Sequence, residues 1–186
     1  MGPERHPRML VRGSRRRGAG QTKSSCGREL LDDPQPLPIG LGETLREGNH
    51  VALIGYGYGV TPAIQAAELL AADGIECSVI NARFAKPLDS ELILEAARRC
   101  KRVVTIEDHV LMGGFGSAVL EMLQDHGCRV PVLRLGIPDE FIQHGKREKL
   151  LELLGLDGAG VAQSARDFVE GVPPGPGGAQ VGISGT

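Results

Sequence analysis

The stretch that decides the fold is Val103–Gly116, VVTIEDHVLMGGFG. Its apolar run predicts a buried strand that ends in Glu107, Asp108 and His109, and two glycines then lead into a helix. In open α/β sheets, polar groups gather at the carboxyl ends of strands, where the next helix supplies free N–H groups and the positive end of its dipole. This turn is therefore the first place to look for function.

Strand and helix patterns alternate along the chain on both sides of this stretch. Strands are predicted at residues 50–55, 75–80, 101–106 and 130–135, with a weaker edge strand at 37–45. Helices are predicted from Thr61–Pro62 to Gly74, after Asp89, from about Gly116 to Gly127, and over 146–154 and 159–169. The alternation implies right-handed crossovers and a parallel sheet covered on both faces. We expect a three-layer α/β/α domain of about five strands, with one antiparallel edge strand.

The two ends of the chain differ from the middle. Residues 1–35 form a basic tail without hydrophobic periodicity, with eight basic and two acidic residues in the first thirty. Residues 171–186 are rich in Pro and Gly, and we expect disorder in both tails. The folded domain is predicted at 36–170. The basic tail suits a nucleic-acid arm, a transit segment or a stretch without function, although the lack of aromatic residues disfavours specific nucleic-acid binding.

Composition excludes several classes of protein. The chain has no tryptophan and only 3% aromatic residues, so the core must consist of Val, Ile, Leu and Ala. No apolar run approaches the roughly 18 residues of a membrane span. The four cysteines show no C-x-x-C spacing, so neither a zinc site nor a redox pair is expected. A reducing, cytoplasmic location is the simplest expectation, with a plastid as the alternative if the basic tail is a transit segment.

Two nucleotide-related interpretations fail on spacing. Gly55–Gly59, GYGYG, resembles a dinucleotide loop, but the third glycine comes one residue early, and the second strand ends in Asn81 rather than an acidic residue. A phosphoacceptor receiver domain would need an acidic pair after the first parallel strand, where Gly55 and Tyr56 stand. Glycines that permit a tight strand-to-helix turn are the better explanation.

The acidic cluster itself has two interpretations. Glu107, Asp108 and His109 could perform acid–base chemistry. Adjacent residues at a strand end point in different directions, however, and a carboxylate here could simply accept hydrogen bonds from N–H groups near Gly113 and Gly114. We favour this second interpretation. His144, in a loop closed by glycine, is a similar case.

Several motifs together resemble a known family. They are LPIGLGETLREGNHVALIGYG at 37–57, NARFAKPLD at 81–89, EDHVLMGGFGSAVLEML at 107–123, VPVLRLGIPDEFIQHG at 130–145 and LLGLDGAGV at 153–161. Over residues 36–169, in one continuous register, the chain resembles the C-terminal domain of the 1-deoxy-D-xylulose-5-phosphate synthases. These are thiamine-diphosphate enzymes of the transketolase superfamily, which join pyruvate to glyceraldehyde 3-phosphate with loss of CO₂ in isoprenoid precursor and thiamine biosynthesis.

The resemblance implies a division of labour. In the full-length family, two preceding domains bind thiamine diphosphate and Mg²⁺, and the third supports dimerisation and borders the active site. We therefore expect no catalytic residue, cofactor ligand or metal ligand in this chain. The candidate residues for an interface or for the border of the active site are Glu107, Asp108, His109, Gly113, Gly114, Arg83 and His144. Family members usually read E-E-N where this chain has Glu107-Asp108-His109, which leaves the third position without an implied role.

The same resemblance leads us to expect a fragment that is inactive alone, with a frameshift or misplaced start upstream. Its expected partners are a second copy or the thiamine-binding domains, with neither nucleic acid nor membrane. The alternative is an interaction subunit of a split transketolase-like enzyme or of the 2-oxoacid dehydrogenase beta type.

Overall fold

The computed structural model describes residues 36–172 and 178–181, so the predicted basic tail at 1–35 lies outside the described residues. The chain divides into two units, Met1–Ile39 and Gly40–Thr186. Of the first unit only residues 36–39 are described, and Leu37 and Ile39 are exposed there. The second unit holds every strand and helix of the described residues.

The centre of the second unit is a mixed, mostly parallel sheet. Its strands are β1 (Glu43–Arg46), β2 (Val51–Gly55), β3 (Cys77–Asn81), β4 (Val103–Val110), β5 (Val132–Ile137) and β6 (Gly178–Val181), in the spatial order β1-β3-β2-β4-β5-β6. The four middle strands are parallel to one another. The edge strands β1 and β6 run antiparallel to β3 and β5.

Helices cover both faces of this sheet. They are α1 (Val60–Ala72, after a 3₁₀ turn at Gly57–Gly59), α2 (Ser90–Cys100), α3 (Phe115–Asp125), α4 (Arg147–Leu153) and α5 (Gly158–Glu170). Side chains of α1, α4 and α5 pack on one face, and those of α2 and α3 pack on the other. All of β2 is buried, because a central parallel strand has helices on both sides. The predicted three-layer α/β/α fold is confirmed.

Local signals placed some element boundaries well and others less well. Asp89 caps α2 as predicted, since its carboxylate accepts a hydrogen bond from the Leu92 N–H at 3.1 Å. Helix α1 begins at Val60 with Gly59 as its cap, slightly before the predicted Thr61–Pro62. Strand β4 runs four residues beyond the predicted end, to Val110, which pairs with Ile137 after an irregularity.

The predicted disorder of residues 171–186 is wrong for residues 178–181. These residues form β6, which adds to the free edge of β5 with Val181 opposite Val132. Backbone hydrogen bonds to an existing strand require no strong hydrophobic pattern, so the sequence gives little sign of such an addition. Residues 173–177 and 182–186 lie outside the described residues. Among the helices that the structure describes, none has the length and apolarity required to cross a membrane.

Candidate functional site

The candidate site lies at the carboxyl edge of the sheet, at the point where two neighbouring strands lead into helices on opposite faces. Strands β2 and β4 are neighbours, but α1 and α3, which follow them, cover opposite faces. Open α/β sheets bind ligands at such switch points. Here the Tyr56 N–H donates to the Ile106 carbonyl at 3.0 Å, which joins the loop after β2 to the middle of β4.

Glu107 is the buried carboxylate of this edge. Its side chain is 1% exposed and accepts hydrogen bonds from the N–H groups of Phe115 at 2.7 Å and Gly116 at 2.8 Å. These N–H groups belong to the first turn of α3, whose N-cap, Gly114, has no side chain to satisfy them. Glu107 therefore supplies from β4 the cap that α3 lacks, in line with the favoured interpretation, although the donors lie two residues later than expected.

Two opposing effects set the pKa of Glu107. Burial raises it and outweighs the two backbone N–H hydrogen bonds, which lower it, as do His109 and Arg134. Its carboxyl group thus takes up a proton more readily in the native state than in the unfolded chain.

This raised pKa predicts a pH dependence of stability. The stabilisation linked to protonation of Glu107 is fully present below the unfolded pKa of about 4.3, and it is lost as the pH rises through the native pKa. Urea denaturation across that range should show the unfolding free energy of the native chain falling relative to that of Glu107→Gln, which has no charge to develop. The opposite slope would mean that the helix N–H groups dominate and that the native pKa lies below its ordinary value.

A second set of hydrogen bonds, centred on Leu111 and Arg134, fixes the loop between β4 and α3. The Leu111 carbonyl accepts hydrogen bonds from Ser117 Oγ and Arg134 Nη1, both at 3.0 Å. The Leu111 N–H donates to the Ile137 carbonyl, also at 3.0 Å. Arg134 Nη1 also donates to Ser117 Oγ at 2.8 Å. The loop is therefore fixed at both ends, by Glu107 at the start of α3 and by Arg134 at Leu111, directly after β4.

The outer side of this edge is a charged contact between three elements. The Arg147 guanidinium of α4 pairs with the Asp108 carboxylate of β4. The same guanidinium lies over the ring of Tyr58, with its central carbon 3.9 Å from the ring centroid. Arg147 therefore ties α4 to both β4 and the 3₁₀ turn, through an ion pair and a cation–π contact.

A pocket of about 330 Å³ opens beside this contact. Asp108, Arg147, His144 and Gln143 contribute its polar lining, and aliphatic side chains of β5, the following loop and α4 contribute the rest. Phe141, in the same loop, is 99% exposed, and Met112 in the β4–α3 loop is 69% exposed. This end of the domain thus combines polar groups with uncovered apolar ones.

The structure brings together only part of the predicted set. Asp108 and His144 line one pocket, whereas Glu107 is buried and does not line it, and His109 is exposed. Gly113 adopts a φ of +69°, which favours glycine, and Gly114 is buried against Glu107. Arg83 is not part of this group, because it follows β3 and pairs with Glu43 of β1 at 2.5 Å.

Sequence reasoning missed Arg147, Tyr58 and Arg134. Arg134 lies inside an apolar strand pattern, and its partner Leu111 contributes only a backbone carbonyl, which leaves no sequence signal. Arg147 begins a short helix and resembles an ordinary solvated charge. The GYGYG stretch did draw attention, but as a possible nucleotide loop rather than as the source of the ring under Arg147.

Comparison with known proteins assigns the fold to a family. The family model for the C-terminal domain of transketolase matches residues 40–161. The chain belongs to this family. Among solved structures, this transketolase C-terminal domain is similar to a split-gene transketolase in an inactive β4 tetramer, with a TM-score of 0.70 and 34% identity over 77% of this chain and 46% of that one. A Pichia stipitis transketolase mutant shares the fold at a TM-score of 0.51 and 20% identity, over 73% of this chain and 20% of that one.

Curated relatives of this transketolase C-terminal domain are 1-deoxy-D-xylulose-5-phosphate synthases. The Gloeobacter violaceus enzyme is 52% identical over 151 residues, which cover 81% of this chain and 24% of that protein. Synthase 1 of Geobacter sulfurreducens is 51% identical over 154 residues, which cover 82% and 23%. The chain therefore spans about a quarter of the length of these relatives.

Proposed function

We propose that this chain acts as the C-terminal domain of a 1-deoxy-D-xylulose-5-phosphate synthase. The observation that carries the proposal is the 52% identity to the Gloeobacter violaceus synthase over 81% of the chain. In this proposal, the whole enzyme carries out the condensation of pyruvate with glyceraldehyde 3-phosphate. The chain contributes the supporting domain and is inactive alone, and its place of action is the cytoplasm.

We also propose that other domains of the enzyme, and not this chain, bind thiamine diphosphate and Mg²⁺. The two carboxylates at the carboxyl edge are already engaged, Glu107 by the N-terminus of α3 and Asp108 by Arg147. Within the residues that the structure describes, no three His, Cys, Asp or Glu side chains are grouped to hold a metal. Glu107 and Asp108 therefore do not fit a diphosphate-bound Mg²⁺, which needs several free oxygen ligands.

The surface offered to the cofactor-binding domains is the carboxyl edge. It presents Met112 and Phe141, both largely uncovered, around the polar groups Asp108, His109 and His144. Exposed apolar side chains beside polar ones are typical of surfaces that contact another protein. Gly113 and Gly114 shape the loop, and Glu107 holds it in place. Arg83 lies apart from this surface, because it pairs with Glu43 of β1.

A split enzyme is the second candidate function. The split-gene transketolase, with 34% identity and a TM-score of 0.70, shows this fold in a chain that is not the whole enzyme. In that case the present chain would complete a separately encoded cofactor-binding chain, without a covalent link.

Domain replacement tests the proposal. Residues 36–186 replace the corresponding C-terminal quarter of the Gloeobacter violaceus synthase, and formation of 1-deoxy-D-xylulose 5-phosphate is measured. We expect the chimaera to be active and the synthase without any C-terminal domain to be inactive, because the truncated enzyme lacks its support. A folded, assembled but inactive chimaera would contradict the proposal. Activity restored when the chain is added as a separate polypeptide would support the split enzyme.

A further inference from the structure

The segment between β5 and the end of α4 is weakly attached to the domain. Of residues 138–154, Leu151 is the one buried residue, at 5% exposed. Phe141 is 99% exposed and Leu153 is 72% exposed, although both side chains are large and apolar. Local stability follows the apolar surface that a segment buries, so this segment should open at a lower free energy than the sheet. We call residues 138–154 the flap.

Two residues on one face of α4 attach the flap to the domain. Leu151 packs in the apolar cluster that α1 and α5 share. Arg147 lies one helical turn earlier, so the two side chains project from the same face. The Arg147 guanidinium pairs with Asp108 of β4 and lies over the Tyr58 ring, 3.9 Å from its centroid. Arg147 therefore joins the flap to the carboxyl edge of the sheet.

Both ends of the flap can act as hinges. Residues 138–146 form neither helix nor strand, and the N-cap residue of α4, Lys146, makes no side-chain capping hydrogen bond. At the other end, Gly155 has a φ of +67° and nothing within 4 Å of the position of an added Cβ. A helix of seven residues is not stable alone in water, so α4 should unfold when it leaves the domain.

The flap forms one side of the pocket of about 330 Å³ beside Asp108. Its contribution includes the aliphatic side chains of Ile142, Leu150 and Leu154. The opposite side includes Ile137 and Asp108, which belong to β5 and β4. A movement of the flap therefore separates the two sides of the pocket and uncovers aliphatic side chains at the carboxyl edge.

We propose that the flap opens while the sheet stays folded, and that the contact of Arg147 with Asp108 and Tyr58 keeps it closed over the pocket. The flap then controls access to the pocket, and one charged side chain sets how often it opens. The proposal rests on contacts within the chain and not on the synthase assignment.

Hydrogen exchange of the full chain tests the proposal, with the amides of α4 as the probe. The Leu150 and Leu154 N–H groups donate to the carbonyls of Lys146 and Leu150, both at 3.0 Å, so their exchange reports the opening of the helix. Relative to intrinsic rates, we expect these amides to exchange at least about tenfold faster than those of the buried strand β2, because less structure must open.

Arg147→Ala should speed the exchange of α4 at least about threefold, because it removes both an ion pair and a cation–π contact. Asp108→Ala should have a smaller effect, since the cation–π contact remains. The matched control is Arg166→Ala, which removes the ion pair of α5 with Asp73 and should leave exchange in the flap unchanged. High salt should act on the native chain as Asp108→Ala does, and should not affect Arg147→Ala.

Exchange of α4 no faster than that of β2 would overturn the proposal, because the flap would then open only when the whole domain unfolds. Unchanged exchange of α4 in Arg147→Ala would overturn the role of this side chain. Equal acceleration in Arg166→Ala would do the same, since the effect would then reflect a general loss of stability. Circular dichroism checks that the variants fold.

Discussion

Replacing Glu107 with alanine should lower the free energy of unfolding by about 2–6 kcal/mol, since two buried N–H groups lose their acceptor at about 1–3 kcal/mol each. The Phe115 and Gly116 N–H groups open α3, and Phe115 and Gly116 are both buried, so water replaces the carboxylate poorly. Urea denaturation followed by far-UV circular dichroism measures the loss. Glu107→Gln, which keeps one acceptor oxygen, should recover part of it.

The neighbouring carboxylate provides the control. Asp108→Ala removes an ion pair with Arg147 that lies at the surface, and such pairs contribute up to about 1 kcal/mol. The two substitutions therefore separate the effect of the buried Glu107 cap from that of the exposed Asp108–Arg147 ion pair. If Glu107→Ala and Asp108→Ala cost the same, Glu107 does not act as the cap of α3.

Gly59→Ala should destabilise the domain by about 3 kcal/mol or more, because there is no space for a methyl group. Gly59 has an ordinary φ of −57°, so its backbone conformation suits any residue. A Cβ there would lie 2.2 Å from the carbonyl oxygen of Ile106 and 2.7 Å from its carbon. Both are backbone atoms of β4, so no side-chain rotation relieves the overlap, and the start of α1 must move away from the strand.

Gly127→Ala is the matched control for this steric argument. Gly127 has a φ of +63° but nothing within 4 Å of the position of an added Cβ. Alanine there should cost only about 1–2 kcal/mol, the penalty of the left-handed conformation. Thermal and urea unfolding of both variants give the comparison. A Gly59→Ala variant as stable as Gly127→Ala would show that the start of α1 shifts freely.

The layered fold followed from local pattern, for physical reasons visible in particular elements. Buried parallel strands such as β2 must be apolar on both faces, and Asp89 satisfies the N–H groups of α2 that any helix leaves open. Strand β6 was missed because its pairing depends on the free edge of β5, which the local sequence of 178–181 does not encode. The extension of β4 to Val110 depends in the same way on its partner Ile137.

The site was predictable only where a residue's role is local. Glu107 binds the helix that follows it in the chain, and the sequence around the two glycines was sufficient to suggest this. The contact of Arg147 with Asp108 and Tyr58 depends on how α4 returns to the sheet, which no short motif specifies. Arg83 joined the candidate set only through the family resemblance, and its side chain pairs with Glu43 of the edge strand β1.

The placement of the aromatic rings has a practical consequence for optical spectroscopy. The sequence contains two tyrosines and no tryptophan. Tyr56 stacks on Phe115 with ring centroids 5.1 Å apart, and Tyr58 lies beneath a guanidinium. Both fluorophores thus stand at one rim of the molecule. Intrinsic emission excited in the near ultraviolet will report what happens at that rim, and the arrival of a binding protein there should be detectable without any attached dye.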